Sequence, residues 1–167
     1  LNNAPINGTT YCATVETTDW NDCESNTENN VWYSFTTPSN GDITVNLTAI
    51  ACFGSGAGVD VSVFAGNCSA FTTNGCLAMS SGGSGSVPTF TGPAGTYYVM
   101  IDGDNDGSAT ALCDFDVDVD FTADPCAAGG SGTPVNDDCA NAATLTENAA
   151  PISGTVYCAT AEATDWN

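Results

Sequence analysis

The run Asp102-Gly103-Asp104-Asn105-Asp106-Gly107 holds the densest set of metal-type donors in the chain. A D-x-D-x-D-G spacing sets three carboxylates on one side of a tight turn, where glycine lets the backbone reverse. Hard oxygen donors so placed suit Ca²⁺, which makes Asp102, Asp104 and Asp106 the expected ligands and calcium the expected cofactor. The match to a twelve-residue calcium loop is partial, because Cys113 stands where the closing bidentate Glu belongs. Good hairpin chemistry accounts for the same residues without a metal. A second acidic feature alternates Asp114, Asp116, Asp118 and Asp120 with Phe115, Val117, Val119 and Phe121. In a strand this turns the apolar four inward and stacks the carboxylates about 6.8 Å apart on the outer face. Such a face is solvated and blocks edge-to-edge pairing; the alternative is weak bridging by divalent cations.

The chain has 20 acidic residues and no Lys, Arg or His, a formal charge of −20. Ordinary proteins carry about 25% charged residues of both signs, against 12% here, all acidic. Without a cationic side chain there is no phosphate clamp, so nucleic acid is excluded as a partner. Without His or Lys there is no Ser-His-Asp or Cys-His catalysis and no Schiff base. Acidic pairs run glycoside hydrolysis in other folds, but no spacing here singles out an acid and a nucleophile. The expectation is that the protein is not an enzyme. Trp20, Trp32, Tyr33, Tyr97 and Tyr98 offer a sugar-stacking platform, with core packing as the more common use of strand aromatics. The longest apolar stretches are strand-length and broken by Thr, Asn or Asp, so no membrane insertion is expected. The chain opens at Leu1 with no basic n-region, and a secretory leader is expected to have been removed.

Comparison of the two ends exposes a repeat. Residues 2–21, NNAPINGTTYCATVETTDWN, return as residues 148–167, NAAPISGTVYCATAEATDWN, at a constant offset of 146 with 15 of 20 positions identical. The chain therefore carries one period and the opening of a second. Cys158 is the second copy of Cys12, which leaves eight cysteines per period: Cys12, Cys23, Cys52, Cys68, Cys76, Cys113, Cys126 and Cys139. Their density, without zinc-type CxxC pairs, points to disulfides and an oxidising, extracellular setting, secreted or at the cell surface. Spacing suggests Cys12–Cys23 and Cys68–Cys76 as local staples, Cys126–Cys139 across a Gly-rich segment, and Cys52–Cys113 between distant strands. Cys158 would then pair beyond Asn167. Sequons at Asn7, Asn46 and Asn67 are candidate glycosylation acceptors.

The segments 31–36, 42–48, 59–64, 87–91, 96–102 and 112–122 are short, β-branched and aromatic, and several alternate with period two. Gly, Ser, Asn and Pro clusters separate them, and only 137–146 offers a helical turn. These patterns predict an all-β sandwich of seven to nine strands. The stretch 127–134, AAGGSGTP, reads as a linker. It divides a sandwich over 1–126 from an opening segment over 135–167 that belongs to the next repeat.

With that frame, Asn136-Asp137-Asp138-Cys139-Ala140-Asn141-Ala142 resembles the opening of secreted bacterial β-sandwich repeats. The stretches Val31–Pro38 with Gly41, Val59–Cys68 and Ala94–Gly103 complete a pattern similar to bacterial pre-peptidase C-terminal-type domains. The resemblance implies a jelly-roll-like or Ig-like sandwich acting as a non-catalytic accessory or structural module. The cysteine density and the loss of all basic residues depart from that family. The favoured expectation is a structural repeat of an extracellular fibre or surface filament, with other copies of itself as partners. Units would join head-to-tail as the 135–166 segment adds a strand to the neighbouring sandwich, filling its core with Leu145, Ile152, Val156 and Tyr157. The alternative is a secreted carbohydrate-binding or adhesin module with a glycan ligand.

Overall fold

The computed structural model describes residues 1–14, 29–54, 58–67, 70–80, 85–104, 111–126, 142–147, 149–152 and 158, with side chains left out at 67 and 70–75. Among these residues eight strands make two antiparallel sheets: β1 (Ile6–Thr9), β2 (Val31–Thr37), β3 (Gly41–Phe53), β4 (Val59–Asn67), β5 (Ala70–Ser80), β6 (Phe90–Gly92), β7 (Gly95–Gly103) and β8 (Leu112–Ala123). One sheet runs β1-β8-β3-β6 and the other β2-β7-β4-β5. Only β4 and β5 follow each other within a sheet; every other connection crosses to the opposite layer. That winding is jelly-roll-like, and the fold is an all-β sandwich.

Period two builds the core. Ile43, Val45 and Leu47 of β3 and Phe115 and Val117 of β8 face Val59, Val61 and Val63 of β4 and Tyr97, Val99 and Ile101 of β7. Burying each such side chain contributes about 1.5–3 kcal/mol. Tyr97 stacks on Phe35 with ring centroids 5.2 Å apart, and its hydroxyl donates to the Pro93 carbonyl at 2.5 Å. Part of the outer face of the second sheet is buried too, where Phe64 and Met100 form a separate apolar cluster with Trp32, Tyr98 and Cys76 packed against it.

Two strands escape the sequence reading. β1 is only four residues long and leans on β8 through Ile6↔Val117 and Gly8↔Phe115. β5 contains Asn74-Gly75, a turn dipeptide by type. Its ladder with β4 shifts register between Phe64↔Cys76 and Gly66↔Phe71, so the dipeptide sits in an irregular stretch of strand and not at a hairpin tip. Conversely, 87–91 is mostly not strand: β6 spans Phe90–Gly92, although Val87 is buried. Among the described residues there is no helix; 142–146 is not helical, and 137–141 lie outside those residues.

The chain divides into two compact units, Leu1–Thr122 and Ala123–Asn167. The first unit holds β1 to β7 and all of β8 but Ala123. Among the described residues no helix is long and apolar enough to cross a membrane.

Candidate functional site

The outer face of the β1-β8-β3-β6 sheet is a polar lattice. Asp114 and Asp120 are exposed and Asp116 and Asp118 half-buried, while Phe115 and Val117 are buried between the sheets. Neighbouring strands answer the carboxylates with amides: Asn7 of β1 donates to Asp116, and Asn46 of β3 donates to Asp120 at 2.9 Å. Further along the face Thr91 donates to Asp42 at 2.7 Å. Neutral donors thus do the work that Lys or Arg does on other sheets. Asp118 keeps one carboxylate oxygen shielded from solvent without a hydrogen-bond partner. Two of the three sequon asparagines, Asn7 and Asn46, belong to this lattice; Asn67 closes β4, and its side chain is not described.

Of the aspartate-rich turn, Asp102, Gly103 and Asp104 are described. Asp102 is the penultimate residue of β7, sits opposite Asp60 of β4, and is only 1% exposed. Strand alternation sets it on the same side of its sheet as Tyr98 and Met100, away from the main core, where its carboxylate is nonetheless buried and accepts the Asn29 backbone N–H at 2.9 Å. Asn29 then ties three strand ends together. Its amide nitrogen donates to the carbonyls of Ala111 at 3.0 Å and Thr10 at 3.3 Å, and its amide oxygen accepts the Gly103 N–H at 3.2 Å. Asp104 is half-buried, with its backbone bonded to Gly58 and Ala111 at 3.0 Å each, and Asp106 lies outside the described residues. Among the described residues no three acidic or cysteine side chains converge on one point. The Asp102 carboxylate thus serves a buried polar junction.

The aromatic platform divides for the same reason. Tyr97 is buried in the core and Tyr33 packs against it, whereas Trp32 and Tyr98 lie on the opposite side of their sheet against Phe64 and Met100. Trp20 lies outside the described residues. Burial raises the hydroxyl pKa of Tyr33, and also that of Tyr97, where the Thr37 hydrogen bond opposes the rise.

Cysteine pairing departs from spacing in two places. Cys52 and Cys113 are bridged, tying β3 to β8 across 61 residues. Cys126 is bonded to Cys158 and not to Cys139, and Cys12 is an exposed free thiol instead of a partner of Cys23. Cys76 is disulfide-bonded to a residue outside those described. Cys23, Cys68 and Cys139 also lie outside them. Cys158 thus has its partner behind it, within this chain. The physical reason is that Cys12 sits at the tip of a tight turn, Thr10–Ala13, closed by the Ala13 N–H on the Thr10 carbonyl at 3.1 Å, which carries its thiol outward.

Between β1 and β2 the two sheets part in a cleft of about 150 Å³, lined by Leu1, Ile6, Tyr33, Phe35, Val99 and Val117 among others. Ile6 is 62% exposed there. Its repeat counterpart Ile152 is 61% exposed and Leu145 79%. Val156 and Tyr157, the other two expected inter-unit residues, lie outside the described residues.

No protein-family model matches the chain, and no curated protein does. Among solved structures it is similar to the pre-peptidase C-terminal domain of a collagenase from Bacillus anthracis, at 16% identity over 71% of this chain and 89% of that one, with a TM-score of 0.40.

Proposed function

We propose that the protein is a structural repeat of an extracellular fibre or surface filament, joined head-to-tail, with no catalytic role. The observation that carries this reading is the 146-residue repeat taken together with β1. In the first copy the repeated segment forms an edge strand on β8, with Asn2 extending the pairing: its N–H donates to the Val119 carbonyl, and its side chain exchanges hydrogen bonds with Phe121. The second copy, with Ile152 and Leu145 exposed, is the strand that the following sandwich would take at the same edge. Leu145 lies two positions before the counterpart of Leu1, so in an array it reaches the mouth of the cleft that Leu1 lines. Disulfides support an oxidising compartment outside the cell. Tyr33 and Tyr97 pack in the core while Trp32 and Tyr98 lie on the opposite side of their sheet, so these four aromatics do not share one face, which favours the fibre reading over the glycan one. Calcium is proposed for the 102–107 turn through Asp104 and Asp106, on donor chemistry alone.

Negative-stain microscopy of native material, with a gel of the same sample boiled in reductant and detergent, tests the function. Regular filaments whose subunit length is at least the ~40 Å of a twelve-residue strand, and a very large species on the gel, are the expected result. Unassociated particles with no filaments would end the fibre reading.

A further inference from the structure

We infer that Cys126 of each repeat is bonded to the turn cysteine that opens the next one, so that Cys12 is one half of a junction disulfide whose other half is Cys126 of the preceding copy. The inference deepens the fibre reading and rests on it. Three observations converge. The repeat makes Cys158 the second copy of Cys12, within a segment identical at 15 of 20 positions. Cys158 is bonded to Cys126, with Cα atoms 5.2 Å apart, while Cys12 is free and exposed. The backbone at the two positions is the same: both are turn residues in the left-handed region, with φ 60° at Cys12 and 63° at Cys158. That conformation is uncommon for a residue other than glycine, so its recurrence marks a shared local structure. Cys12 is therefore already shaped as Cys158 is where it holds its bond.

The surroundings of Cys12 suit a covered position. Tyr11 packs edge-on against Phe53 at 6.0 Å, and Phe53 is 68% exposed. An apolar pair beside an exposed thiol is what the linker of a preceding unit would cover. Each bond forms as two thiols release two protons and two electrons to a disulfide oxidant of the extracellular space, which leaves as two thiols.

The bond has a mechanical consequence. The 32 residues from Cys126 to Cys158 would extend to roughly 110 Å under tension if unbridged. With the bond in place the load passes through sulfur, and the junction spans 5.2 Å between Cα atoms. Successive sandwiches are thus held at a short, nearly inextensible joint.

The test alkylates the native, unreduced chain at acidic pH and maps it with a protease that cuts at acidic residues, since trypsin has no site. One alkyl group on Cys12 and a linked Cys126–Cys158 peptide are expected. Cys126→Ser should raise the count to two by freeing Cys158, and Cys12→Ser should lower it to none with the linked peptide kept. A chain lengthened by a second period, residues 22–167 repeated after Asn167 and refolded with oxidised glutathione, should still carry one free thiol, the first Cys12. Pairing of the second turn cysteine with its own copy of Cys23 in that longer chain would overturn the inference. These thiol counts read the bond independently of filament formation, so a monomeric native protein with the bond intact would sink the fibre reading alone.

Discussion

Asn29 offers the sharpest test of how the sandwich is held. It precedes β2, is buried, and its side chain makes three hydrogen bonds to backbone groups of Thr10, Gly103 and Ala111. The space is filled closely: a Cβ placed on Gly103 would stand 2.6 Å from the Asn29 amide oxygen. Asn29→Ala removes about 1 kcal/mol of net stabilisation per bond and leaves buried backbone groups unsatisfied, each a further cost of about 1–3 kcal/mol where water cannot enter. Partial relaxation brings the expected loss to about 3–5 kcal/mol, a large part of the 5–15 kcal/mol typical of a domain. Urea unfolding followed by tryptophan fluorescence should show the midpoint falling at unchanged slope, with Tm lower by roughly 10–20 °C. Asn7→Ala, which removes an exposed amide from Asp116, should cost under about 1 kcal/mol and serves as the control. Asn29→Asp keeps the shape but loses the donor when ionised, beside the Asp102 carboxylate. It should therefore be less stable at pH 7 than at pH 4, where the protonated acid still donates. A loss below about 1 kcal/mol for Asn29→Ala would refute the view that this residue ties the three strand ends together.

Replacing both Cys52 and Cys113 by Ser should lower stability by about 4 kcal/mol on the loop-entropy estimate for a 61-residue separation; calorimetry showing less than about 1 kcal/mol would mean that the unfolded chain is already constrained there. Burial raises the pKa of Tyr33 and Tyr97 above the value of 10.0 that they have when unfolded. Their contribution is therefore fully present below pH 10 and is lost as pH rises through the higher folded values. Ultraviolet titration of tyrosinate should show these two ionising late, together with alkaline unfolding, and early, non-cooperative titration of all tyrosines would contradict it. If the 102–107 turn takes calcium, saturating Ca²⁺ should raise Tm by several degrees, and Asp104→Asn should abolish the rise; an unchanged Tm in calcium and in chelator removes calcium from the account.

Much of the sandwich is legible in the chain because alternation is a local property. The Asp114–Phe121 run needs no partner to declare which residues face inward, and burial of Phe115 and Val117 follows the same two-residue period as Ile43, Val45 and Leu47. Alternation also sets Trp32 and Tyr33, and Tyr97 and Tyr98, on opposite faces, a signal against a shared platform that adjacent positions already contain. The repeat, too, belongs to sequence alone, and it is what gives the free Cys12 a meaning.

Tertiary structure decided what depends on neighbours distant in the chain. β1 is too short to announce itself and exists because β8 supplies its hydrogen bonds. β5 survives an Asn-Gly dipeptide because β4 holds it on either side of an irregular stretch. Asp102 reads as a ligand in a turn motif, yet at the end of β7 it is buried and accepts the Asn29 backbone N–H. The cysteines show the limit most clearly: Cys126 passes over Cys139, thirteen residues on, and bonds Cys158, thirty-two residues on. A disulfide requires two Cα atoms within about 7 Å and side chains aimed at each other, and distance along the chain encodes neither.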